Sequence, residues 1–222
     1  MPVRRRLRLS KIEGPVLGNQ VRPRLDFWYE FASTYSYLTV SRIEELTTTA
    51  GIELRWRPFL LGPIFAAQGW HTSPFSIYEA KGHYMWRDVA RRADRYGLPF
   101  NRPATFPQNG LLAARLALTG VSAGWCGDFS RLVYRAQFVN GADISDGAVL
   151  AAILRDLGIP DVPAMRAASS DHNKQALRSQ TEEAMALGIF GAPSFVADGE
   201  LFWGDDRLED ALAWLSGPAS VI

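Results

Sequence analysis

The stretch Leu25–Leu38, LDFWYEFASTYSYL, changes its period halfway along. Up to Phe31, the apolar Leu25, Phe27, Tyr29 and Phe31 alternate with Asp26, Trp28 and Glu30, the two-residue repeat of a strand. From Thr34 to about Thr49 the spacing turns helical, with Leu38, Ile43 and Leu46 apolar and Gly51 placed to stop the helix. Ile52, Leu54 and Trp56 then alternate with Glu53, Arg55 and Arg57 before Pro58 ends a second strand. Strand, helix and strand with so long a crossover make a parallel, right-handed βαβ unit. At its first junction, Ser33-Thr34-Tyr35-Ser36 sets two serines at the C-x-x-C spacing where a redox protein of this type would carry cysteines.

The far end has a different pattern. PSFVADGELFWG, residues 193–204, reads as two short strands around Asp198-Gly199, a dipeptide suited to a tight hairpin turn. DDRLEDALAWL, residues 205–215, reads as a closing helix with Asp206 as N-cap, Glu209 completing a capping box, and Leu208, Leu212 and Leu215 inward. Residues 63–187 between these halves hold helix-like stretches and no strand alternation. The expected architecture is α/β: βαβ and ββα halves of one thioredoxin-like sheet, residues 25–62 and 188–222, with an inserted all-helical domain over 63–187.

Composition bounds the function. The chain has 222 residues, 47% of them hydrophobic, enough for a sizeable core. Seven Arg and Lys against Glu13 give residues 1–24 a net charge of +6, so a total of +1 leaves −5 for the rest. This basic segment lacks aromatic interleaving and helical periodicity, so it reads as a disordered extension rather than a nucleic-acid or lipid arm. It has no apolar core of a secretory signal, and no segment approaches the ~18 apolar residues of a membrane span. A cytoplasmic protein that engages neither nucleic acid nor membrane is expected. Cys126 is the only cysteine, so neither an internal disulfide nor a metal cluster is expected, and redox chemistry by the chain's own sulfur is improbable.

In order along the chain, YEFASTYSYL, RPFLLGPIF, AKGHYMWRD, GLPFNRPATFPQN, GADISD and GIFGAPSFV with GELFWGDDRL resemble the kappa-class glutathione transferase and 2-hydroxychromene-2-carboxylate isomerase family. That family is a branch of the DsbA-like thioredoxin superfamily, and the resemblance runs from Leu25 to Leu215. It implies a glutathione-dependent enzyme in which the sulfur belongs to glutathione and Ser33 holds it. An isomerase acting on an aromatic-derived conjugated keto acid is the first expectation and a transferase acting on small electrophiles the second. A redox-inactive thioredoxin-like binding protein is the reading of another class. Family members usually carry proline after the first serine, and here Thr34 stands in its place.

The resemblance further implies a cis-proline at Pro193, with the backbone of Ala192 pairing with the cysteinyl part of glutathione like a short added strand. Asp206 matches the aspartate that meets the γ-glutamyl amine, and Asp205 occupies the matching neighbouring position. Lys81 matches a lysine near the glycyl carboxylate. The family's nearby glycine-asparagine pattern is replaced by GWHTSPF, which leaves His71 and Thr72 as substitutes. Trp70, Phe75, Tyr78, Tyr84 and Trp86 are candidates for the wall of a pocket for a small aromatic substrate, and Arg57 or Arg87 for holding its carboxylate. A homodimer is expected.

Overall fold

The computed structural model describes residues 22–217. The basic extension up to residue 21 lies outside the described residues, and Arg24 already opens the first strand. In chain order the elements are β1 (Arg24–Tyr29), α1 (Thr34–Val40), α2 (Ile43–Thr49) and β2 (Glu53–Pro58). The insertion follows as α3 (Leu61–Ala67), α4 (Pro74–Ile77), α5 (Glu79–Arg95), α6 (Leu111–Ala123), α7 (Cys126–Phe138), α8 (Gly147–Asp156), α9 (Asp161–Ala168) and α10 (Asp171–Ala186). The chain closes with β3 (Ser194–Ala197), β4 (Glu200–Trp203), a 3-10 turn (Asp205–Arg207) and α11 (Leu208–Ser216).

One mixed sheet has the order β2-β1-β3-β4. β1 and β2 run parallel with Phe27 opposite Trp56, and β3 lies antiparallel to β1 with Phe195 opposite Phe27. This is the thioredoxin arrangement, with a helical insertion between β2 and β3. β1 is buried on both faces. Leu25, Phe27 and Tyr29 join the large core, while Trp28 packs with Phe59, Ile64, Ala184 and Ile189 beneath the opposite face. The alternation in LDFWYE therefore separates two apolar layers rather than core from solvent.

Two expected elements differ. The helix expected over Thr34–Thr49 breaks at Ser41-Arg42 into α1 and α2. Thr39 and Ser41 both donate their hydroxyls to the carbonyl four residues back, at 3.3 and 2.9 Å, a pattern that bends helices. Arg42 then turns away to bond the Asp205 carbonyl at 2.8 Å and the Glu209 carboxylate. The capping box of the last helix does not form either. α11 starts at Leu208 after the 3-10 turn, Asp206 caps nothing, and Glu209 is held by Arg42.

Candidate functional site

The turn between β1 and α1 brings the S-x-x-S motif to the end of the sheet. Ser33 is the N-cap of α1, its Oγ accepting the Ser36 N–H at 3.2 Å. The same hydroxyl donates to the Ala192 carbonyl at 2.8 Å, across 159 residues. The Ala192-Pro193 peptide is cis, and the Ala192 amide donates to no acceptor among the described residues. Cavity, serine and cis-proline loop thus meet at one place: Ser33, Ala192 and Pro193 line a cavity of about 980 Å³. That volume lies at the upper end of the ~300–1,000 Å³ typical of small-molecule sites.

The loop after β4 forms another wall. Gly204 donates its N–H to the Pro193 carbonyl at 3.0 Å, which ties this loop to the cis-proline. Its φ of +115° suits glycine, and a Cβ there would stand 2.6 Å from the Asp206 carboxylate. The two neighbouring aspartates diverge. Asp206 is half exposed, at 52% of its side chain, with Arg207 3.3 Å away. Asp205 bounds the cavity, yet its side chain is fully buried and its carboxylate is committed within the protein. Oδ1 accepts from Thr39 at 3.1 Å, while Oδ2 accepts from Arg92 Nε at 2.9 Å and from the Tyr96 hydroxyl at 3.3 Å. No free carboxylate oxygen is left there for a ligand's ammonium.

The insertion supplies the remaining walls. Lys81 lies exposed at the rim, its Nζ 4.8 Å over the Tyr78 ring, and His71 and Thr72 line the cavity from the loop before α4. Of the expected aromatic wall, Trp70, Phe75 and Tyr84 line the cavity. Tyr78 instead carries Lys81, and Trp86 packs into the core against Phe106 at 4.8 Å. Tyr35, Phe65, Phe106, Phe190 and Trp203 complete the aromatic lining. The candidate carboxylate holders lie elsewhere: Arg57 stacks on Trp28 at 4.5 Å and pairs with Glu183, and Arg87 does not line the cavity.

Glu30, Asp88, Arg92 and the loop Phe106–Gly110 line the cavity without having been singled out in the sequence. Of these, Glu30 left a signal: it is the one acid at the end of a strand whose other late positions are aromatic. Cys126 is buried beneath the sheet, its Sγ 3.3 Å from the Tyr29 hydroxyl, and burial pushes its thiol up to about 11. It takes no part in lining this cavity.

The DSBA-like thioredoxin domain matches residues 24–215, and the chain belongs to that family. It is 26% identical to a 2-hydroxychromene-2-carboxylate isomerase of Sphingobium xenophagum, over 83% of this chain and 94% of that protein. It is 28% identical to a glutathione s-transferase kappa 2 of Caenorhabditis elegans, over 89% and 93% respectively. A solved 2-hydroxychromene-2-carboxylate isomerase superposes with a TM-score of 0.77 at 24% identity, over 84% of this chain and 91% of that one.

Proposed function

We propose that the chain is a glutathione-dependent enzyme in which the turn at Ser33 seats the sulfur and the rest of the cavity takes an aromatic electrophile. The observation that carries this reading is the convergence of Ser33, the free Ala192 amide, the open Asp206 carboxylate and Lys81 on one cavity. These groups complement a tripeptide with one ammonium and two carboxylates. Bound glutathione supplies a thiolate that adds to an electrophilic carbon and, in an isomerisation, leaves again.

The protein's residues bind, orient and hold protons. Ser33 keeps its bond from Ser36 while rotation about Cβ–Oγ turns its proton from the Ala192 carbonyl towards a negatively charged sulfur. The Ala192 amide pairs with the peptide backbone of the ligand, Asp206 takes its ammonium, and Lys81 takes a carboxylate. The aromatic walls fix the orientation of a planar substrate and exclude water, which is where proximity and electrostatics act.

The first reading of the reaction is the isomerase one, the reversible opening of a hydroxychromene ring to a benzylidene pyruvate. Conjugation of a neutral electrophile is the second, and the cavity's cations favour it. Arg92 is committed to Asp205, so among the lining lysines and arginines Lys81 alone is left for a glycyl carboxylate and a substrate carboxylate together. A homodimer in the cytoplasm belongs to the same proposal.

Titration calorimetry with glutathione, then turnover of the hydroxychromene acid and of a chlorinated nitroarene, tests these readings. Binding followed by turnover of the acid is the expected result. Turnover of the nitroarene alone selects the transferase. Absence of glutathione binding overturns the proposal and leaves a peptide-binding thioredoxin-like protein.

A further inference from the structure

Glu30 stands three residues before Ser33, in the turn that joins β1 to α1, and lines the same cavity. Its backbone is fixed on two sides: the carbonyl accepts the Ser33 N–H at 3.0 Å and the Tyr134 hydroxyl at 2.7 Å. The carboxyl is fixed at one oxygen only, Oε2 accepting the Ala32 N–H at 3.0 Å. Oε1 faces Gly110. A Cβ on that glycine would stand 3.1 Å from Oε1 and 3.0 Å from the Phe31 Cβ, although its φ of −84° would suit any residue. The missing side chain therefore keeps Oε1 uncovered beside the cavity.

We propose that Glu30 is the proton acceptor of the bound thiol, with Oε1 taking the hydrogen from sulfur while the turn holds it beside Ser33. This rests on the glutathione reading above. The S–H bond breaks, an O–H bond forms on Oε1, and the electron pair stays on sulfur. The proton returns to sulfur when the sulfur departs, or passes to solvent when the sulfur remains in the product.

The surroundings suit this role. Burial raises the Glu30 carboxyl from its ordinary 4.5 to about 8, with the Ala32 N–H opposing, which brings it close to a thiol of ~8.5. A base is most effective when its pKa lies near the working pH. No basic side chain among the described residues pairs with it. The titratable groups around it are Tyr134, which reaches in from α7, and in the same cavity Tyr35, His71, Lys81, Tyr84, Asp88, Arg92, Asp205 and Asp206. The loop Phe106–Gly110 presents no titratable side chain.

The test counts protons rather than turnover. Calorimetry of glutathione binding at about pH 8, in two buffers of different ionisation heat, gives the protons released, and ultraviolet absorbance gives the thiolate formed. In the wild type, releases should fall well short of thiolates, because Oε1 retains the proton. In Glu30→Gln, which preserves the acceptor for Ala32, about one proton should be released per thiolate. Gly110→Ala, which covers Oε1 and leaves the carboxyl in place, should move the ratio the same way. A ratio near one in all three proteins overturns the proposal while leaving glutathione binding intact. Absence of binding in the wild type overturns both. Infrared difference spectroscopy at about pH 8 adds a further check: glutathione binding should increase an un-ionised carboxyl band in the wild type and not in Glu30→Gln, and no increase in the wild type overturns the assignment.

Discussion

Replacing Glu30 with glutamine should change how stability depends on pH, whatever the ligand. Burial lifts the folded carboxyl to about 8 against an ordinary 4.5. A raised carboxyl means that the folded state holds its proton after the unfolded chain has lost it. Below about pH 4.5 both states are protonated and the group carries no penalty. Between about 4.5 and 8 the unfolded chain is favoured progressively, by ~1.4 kcal/mol per pH unit, and above 8 the penalty is constant. The full interval corresponds to about 5 kcal/mol, and the part of Glu30 open to the cavity reduces this to roughly 2–5 kcal/mol. Glutamine is neutral in both states and lacks this fall. Urea unfolding of both proteins between about pH 5 and pH 9 should give stability curves that diverge as pH rises, with the variant relatively more stable at the alkaline end. Titrations of all other groups cancel in the difference. Parallel curves across that interval would refute the reasoning, because they would mean that Glu30 ionises in the folded protein as freely as in the unfolded one.

Ser33→Ala removes an N-cap and the bond to Ala192 together, so it should cost about 1–2 kcal/mol in chemical denaturation and raise the thiolate titration of bound glutathione by roughly one to two pH units. Coincident thiolate titrations would remove Ser33 from sulfur activation. Asp206→Asn should weaken glutathione by roughly 1.5–3 kcal/mol in calorimetry and leave stability within about 0.5 kcal/mol, whereas Asp205→Asn should destabilise the fold by about 3–5 kcal/mol. Cys126→Ser should retain glutathione-dependent activity, since the native thiol is buried and held near 11; loss of activity in a folded variant would contradict an external sulfur.

The sheet was legible because its signals are local. Alternation in Leu25–Phe31 and Ile52–Trp56 and the turn at Asp198-Gly199 depend on residues a few positions apart, and the pairings Phe27 with Trp56 and Phe195 with Phe202 follow from them. The helix over residues 34–49 was read as continuous for the same reason: its apolar spacing hardly registers at Ser41-Arg42. What breaks it is the pull of Arg42 towards Asp205 and Glu209, a contact across more than 160 residues. α3, α4 and α9 are short, and neighbouring elements rather than their own periodicity hold them in place.

The candidate site divides in the same way. Ser33, Ala192 and Pro193 lie on motifs whose backbone roles can be read from sequence, and the structure brings all three to one cavity wall. The resemblance alone distinguishes Asp206 from Asp205, and nothing local marks Asp205 for burial, because adjacent identical residues differ in what distant parts of the chain do to them. Arg92 of α5, 113 positions away, together with Tyr96 and Thr39, takes the first carboxylate inside. An aspartate buried and bonded in this way ties the insertion to α1 and to the turn before α11. That tie positions the second carboxylate without occupying it. The open Asp206 is thus available to a cation only because Asp205 is not, so loosening Arg92 should disturb the ammonium end of the site before it disturbs the serine end.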